Sequence, residues 1–123
     1  MRPNTNDTSS ILVVGAGPVG AAAALSLAER GYPVILVDRT PPQPGTSAFG
    51  IDVRNVALSP RSAALLQNID AWPEQTAAYH NMRVWEERGS SALDFDAASV
   101  NRQELGWLVE VGPLLERLWQ RLE

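Results

Sequence analysis

Three glycines within six residues carry the clearest chemical signal in this sequence. Gly15-Ala16-Gly17-Pro18-Val19-Gly20 follows the apolar run Ile11-Leu12-Val13-Val14 and precedes an alanine-rich stretch, and Asp38 lies 23 residues after Gly15 at the end of a second apolar run. A strand, a glycine turn, a helix and an acid closing the next strand are the parts of a dinucleotide grip. Gly15 would permit the tight turn out of the strand. Gly17, with no side chain, would let a pyrophosphate approach the backbone, and Gly20 would let the helix pack close to the strands. The helix start then offers free N–H groups and the positive end of its dipole to the phosphate. Gly15, Ala16, Gly17, Pro18, Val19, Gly20 and Asp38 are therefore the candidate binding residues. A carboxylate at Asp38 suits a free ribose 2′-hydroxyl and repels a 2′-phosphate, which favours FAD or NAD over NADP. Arg39 is a further candidate, as a partner for a phosphate or a cover over the adenine, against the plainer reading of a solvated loop charge.

Little else in the composition offers chemistry. There is no cysteine, so disulfides and thiolate catalysis are excluded, and the single histidine, His80, cannot build a histidine-rich metal site. His80 reads as a loop residue, Glu86-Glu87-Arg88 as a solvated strand end, and Trp107 and Trp119 as core or interface aromatics. No side chain is assigned a catalytic role and no metal is expected. The net charge is −4, with no basic block; binding to nucleic acid through phosphate neutralisation is not expected. The opening residues MRPNTNDTSS are polar and lack the apolar core of a secretory signal, so the cytoplasm is the default location. Ile11 to Ala28 is uncharged and near the lower length limit for a membrane span, but its glycines and Pro18 make a strand followed by a helix the better reading.

The elements that must position the turn follow from pattern. Residues 1–10 are expected to be a disordered lead-in. Ile11 to Val14 and Val34 to Val37 are short continuous apolar runs, suited to strands buried on both faces of a parallel sheet. Between them a helix is predicted from Pro18 to Arg30, with Pro18 in its first turn and Gly31 ending it. Together these make a βαβ unit. Thr40 to Gly50 holds three prolines and two glycines and reads as a loop. Ser59 and Pro60 read as N-cap and first residue of a short helix ending near Asp70, with Ala63, Leu65, Leu66 and Ile69 inward. Alternation over residues 82–87 and 92–96, around Gly89-Ser90-Ser91, predicts an antiparallel hairpin. Leu105 to Val111 is a further strand. Gly112-Pro113 opens a last helix, whose apolar side of Leu114, Leu115, Leu118, Trp119 and Leu122 is expected to lie uncovered.

Beyond the turn, the stretch Ile51-Asp52-Val53-Arg54-Asn55-Val56-Ala57-Leu58-Ser59, with Arg61-Ser62, Leu65-Leu66 and Ala71-Trp72, resembles the flavin-dependent aromatic hydroxylases, and most closely the ubiquinone-biosynthesis hydroxylases. Leu93-Asp94-Phe95-Asp96-Ala97 and Leu105-Gly106-Trp107-Leu108-Val109-Glu110 are similar to that family as well, so the resemblance runs from about Ile11 to the last residue. It implies an α/β fold: a Rossmann-like FAD-binding βαβ unit followed by the start of an antiparallel substrate-domain sheet, with residues 11–80 opening the FAD-binding domain and 81–123 opening the second. It implies FAD as cofactor, NAD(P)H as electron donor, and a small aromatic or polyprenylated aromatic substrate. Contact with the inner membrane surface would follow from a polyprenylated substrate. It places Arg54 beside the flavin pyrophosphate, where a guanidinium pairs bidentately with phosphate oxygens. In such enzymes the cofactor carries the chemistry while the protein positions it and excludes water.

The sequence departs from that family in length. Members are several times longer and carry an Asp-Gly and a Gly-Asp motif; neither dipeptide occurs here. The chain is expected to be an incomplete fold, inactive alone. A nicotinamide-dependent reductase or dehydrogenase on the same βαβ unit is the first alternative, and a non-catalytic nucleotide-binding module the second. The proline-rich loop, short helix and hairpin after the second strand favour the flavin enzyme over a dehydrogenase, which would continue with more βα units.

Overall fold

In the computed structural model the described residues are 9–40, 50 and 52–122. The expected lead-in over residues 1–8 and most of the proline-rich loop, residues 41–49, lie outside them. β1 (Ile11–Val14), α1 (Pro18–Ala28) and β2 (Val34–Val37) form the βαβ unit, with the strands parallel and Ile11 opposite Val34. Alanines at four consecutive positions, 21–24, make α1 a strong helix former, and Pro18 stands in its first turn. The helix closes at Ala28, two residues before the predicted end. There Arg30 and Gly31 N–H groups fold back to the Leu27 and Ala28 carbonyls, and Gly31 takes φ +84°.

One expectation for these strands needs correction. Only one face of the β1–β2 ribbon is covered. Leu12 and Val14 are 60% and 78% exposed, and Ile35 and Val37 are 51% and 41% exposed. The continuous apolar run matches a strand enclosed on both faces, but within the described residues α1 packs on one face alone.

The second layer is a three-stranded antiparallel sheet in the order β3 (Asn55–Leu58), β7 (Gly106–Glu110), β4 (Thr76–Tyr79). The sequence pattern identifies only the central strand, β7. Its neighbours are four residues each, and β4 reads Thr-Ala-Ala-Tyr, with little β preference of its own. Both are held by pairing to β7 rather than by local pattern. α2 (Pro60–Asn68) begins as predicted, with the Ser59 hydroxyl accepting from the Ser62 N–H at 3.2 Å. β5 (Asn81–Trp85) and β6 (Ala92–Asp96) make the predicted hairpin, Met82 opposite Phe95 and Val84 opposite Leu93. Every residue of both strands is exposed.

α3 (Val111–Leu122) follows β7 directly. Its apolar side is not uncovered as expected. Leu114 and Leu118 are buried in one core with Ala21 and Leu25 of α1, Leu66 of α2 and Val109 of β7. Residues 81–123 thus contribute to two places: the hairpin stands apart, while β7 and α3 pack with the elements that precede residue 80.

Candidate nucleotide-binding site

The glycine turn takes the geometry its residue types require. Gly15 has φ +99°, a conformation closed to ordinary side chains, and its N–H donates to the Val37 carbonyl at 2.7 Å, which fastens the turn to the end of β2. A Cβ on Gly20 would lie 1.8 Å from the Gly15 carbonyl oxygen, so the helix meets the turn too closely for any side chain. A Cβ on Gly17 would meet nothing within 4 Å. Gly17 is the N-cap of α1 with extended backbone, and the first intrahelical bond runs from the Ala21 N–H to its carbonyl. The amides of the first turn therefore precede any intrahelical acceptor. Val19 is 84% exposed beside them.

Asp38 reaches back from the end of β2. Its Oδ2 accepts from the Ala16 N–H at 2.6 Å, and its Oδ1 accepts from the Arg39 N–H at 2.6 Å and the Thr40 N–H at 3.4 Å. The Ala16 bond, then those from Thr40 and Arg39, hold the carboxyl below its ordinary pKa of 3.8. Asp38 is an ionised acceptor set against the turn. Arg39 beside it is exposed.

Arg54 enters a second cluster, with Asp52 at its centre. Asp52 is 4% exposed. Its Oδ1 accepts from the Arg54 N–H at 3.0 Å and from Nε at 3.2 Å, and its Oδ2 accepts from Arg54 Nη2 at 3.1 Å and from the Gly112 N–H at 2.8 Å. The Asp52 N–H donates to Glu110 Oε2 at 2.7 Å, and the Val111 N–H to the Arg54 carbonyl at 2.9 Å. The Arg54 side-chain bond is the main cause of a lowered Asp52 pKa, opposed by burial. The Asp-x-Arg spacing thus places the carboxylate on the first turn of α3, as a cap supplied from outside the helix, and fixes the arginine beside it. The Arg54 side chain remains 59% exposed. Asp52 and Glu110 were given no role from sequence, since nothing local links residues 58 positions apart.

Trp119, which reads from sequence as a core or interface aromatic, reaches the turn itself. Its indole Nε1 donates to the Ala16 carbonyl at 3.1 Å, joining α3 to the glycine turn. A lone tryptophan in an amphipathic helix carries no signal of that bond.

Comparison with known proteins identifies the family that carries this fold. Residues 10–120 match the FAD dependent oxidoreductase family. The chain belongs to that family. Among its relatives, the 3-demethoxyubiquinol 3-hydroxylase of Escherichia coli K12 is 36% identical over 123 residues, covering 97% of this chain and 31% of that protein. Ubiquinone hydroxylase UbiL of Rhodospirillum rubrum is 29% identical over 123 residues, covering 97% of this chain and 28% of its own. In fold, the chain is similar to p-nitrophenol 4-monooxygenase from Pseudomonas putida, with a TM-score of 0.60 at 21% identity over 93% of this chain and 28% of that one. It is similar also to 2,6-dihydroxypyridine-3-hydroxylase from Arthrobacter nicotinovorans, with a TM-score of 0.55 at 20% identity over 94% and 27%. The chain spans under a third of the length of each of these proteins. Among the described residues no helix is long and apolar enough to cross a membrane.

Proposed function

We propose that this chain supplies the grip on the ADP moiety of FAD in a flavin-dependent aromatic hydroxylase of the ubiquinone-biosynthesis type. One observation carries the cofactor reading: Gly17 leaves open space at a helix N-terminus while Asp38 is set against the same turn. These residues fit an adenosine diphosphate. The amides of Gly17, Val19 and Gly20 face the pyrophosphate, while Gly15 and Ala16, whose N–H groups are held by Val37 and Asp38, and Pro18, which has no N–H, shape the turn; Asp38 accepts from the ribose. Arg54, held by Asp52, supplies positive charge to the phosphates, and Arg39 lies next to the nucleotide. When bound, the flavin supplies the redox chemistry.

The substrate reading is supported by the relatives, of which two are named as ubiquinone-pathway hydroxylases. We assign an aromatic substrate, polyprenylated in the pathway those names imply, with NAD(P)H as electron donor and contact with a bilayer surface where such a substrate resides. Residues 11–80 open the FAD-binding domain, and the exposed β5–β6 hairpin opens the substrate-binding sheet.

The cofactor reading is tested by purifying the chain in the presence of FAD and recording the flavin absorption bands. Retained flavin that is lost in Arg54→Glu, with circular dichroism unchanged, is the expected result. Equal retention by the variant removes Arg54 from the site, and loss of folding in the variant assigns it a structural role through Asp52.

A further inference from the structure

We infer that Trp119 is a positioning residue for the phosphate-binding turn, setting the plane of the Ala16–Gly17 peptide through its indole N–H. The inference rests on the reading of that turn as the pyrophosphate grip. The bond from Trp119 Nε1 to the Ala16 carbonyl spans 103 positions of sequence. That carbonyl belongs to the same peptide as the Gly17 N–H. The peptide is trans, so its planar C=O and N–H point in opposite directions. Drawing the carbonyl toward α3 turns the Gly17 N–H away from α3. Gly17 has no side chain and an extended backbone, so little in the residue itself would hold that plane. A hydrogen bond accepted by the carbonyl also polarises the peptide and makes its N–H a stronger donor.

The neighbouring peptide is tied as well. The Ala16 N–H is held by Asp38 at 2.6 Å. Ala16 therefore has its N–H fastened to β2 and its carbonyl fastened to α3, and it is 4% exposed. Trp119, Ala16, Asp38, Leu36 and Leu122 line one cleft of about 420 Å³. The position of α3 is set independently by Leu114 and Leu118 in the core. The indole is thus presented to the turn by a helix whose place does not depend on it. The chain of bonds runs from the indole to the Ala16 carbonyl and through the peptide to the Gly17 N–H, where the phosphate oxygen is the final acceptor.

A ¹⁵N-labelled chain titrated with ADP tests this, with the Trp119 indole resonance assigned by its loss in Trp119→Phe. The phenyl ring keeps apolar contact and removes only the donor. Phosphate binding at Gly17 should strengthen the indole bond and move the Trp119 proton downfield together with the Gly17 amide, leaving the Trp85 indole in place. Trp119→Phe should weaken ADP by roughly three- to ten-fold, the scale of one neutral hydrogen bond. Gly17 moving with ADP while the Trp119 indole stays fixed would overturn the inference and leave the turn's assignment intact. Unchanged affinity in Trp119→Phe would do the same. A titration in which no amide of residues 15–20 moves would remove the turn's assignment and this inference with it. Should Trp119→Phe fail to fold, the indole shift of the unaltered chain decides, with resonances assigned through the backbone.

Discussion

Asp38 fastens the glycine turn to the end of β2 through one carboxylate. It organises the turn by accepting from Ala16, Arg39 and Thr40, and in the proposed function it also accepts from the ribose. Because its pKa is lowered in the folded chain, its contribution to stability is fully present above the ordinary value of 3.8 and is lost as the pH falls through the depressed value. The Ala16 amide resonance followed through an acid titration should therefore show a midpoint below 3.8. A midpoint at or above it would mean that the Ala16 bond does not favour the ionised form. Gly17 gives a different kind of test. Its φ is not positive and a Cβ there meets nothing, so Gly17→Val should fold with little change in melting temperature. It should nonetheless abolish ADP binding, because the branched side chain occupies the space of the pyrophosphate. Unaltered affinity in a folded Gly17→Val would place the ligand elsewhere.

Elements that announce themselves locally were legible in the sequence. β1, α1 and β2 follow from apolar runs and glycine punctuation, α2 from Ser59-Pro60, and the hairpin from alternation. β3 and β4 were not, because four-residue strands such as Thr-Ala-Ala-Tyr acquire their identity from pairing with β7. The three glycine roles were legible from the motif, whereas the parts played by Asp52, Glu110 and Trp119 depend on where α3 docks. That docking rests on buried leucines. Leu118 is fully buried, so Leu118→Ala should cost about 2–5 kcal/mol by denaturant unfolding. A cost below about 1 kcal/mol would mean that α3 is not held by the core as described. At the junction of turn and helix, Gly20→Ala should cost about 1–3 kcal/mol, since the methyl group is driven into the Gly15 carbonyl. Free accommodation of that methyl would show that α1 can withdraw from the turn.

Across the whole molecule, α1, α2, α3 and β7 share one core, and α3 touches both the glycine turn and the Asp52–Arg54 cluster. Trp119 bonds to the turn, and Gly112 at the opposite end of the same helix bonds to Asp52. The β1–β2 ribbon keeps an open apolar face and the β5–β6 hairpin stands exposed, in a chain that spans under a third of the relatives it matches. In the proposed function this arrangement alone holds the adenosine diphosphate end of the cofactor. Titration calorimetry of the chain with ADP and, in parallel, with FMN tests that claim directly. Saturable binding of ADP with no binding of FMN is the predicted result, because the turn, Asp38 and Arg54 address the adenylate half. Binding of FMN in preference to ADP, or no binding of ADP, would contradict the account.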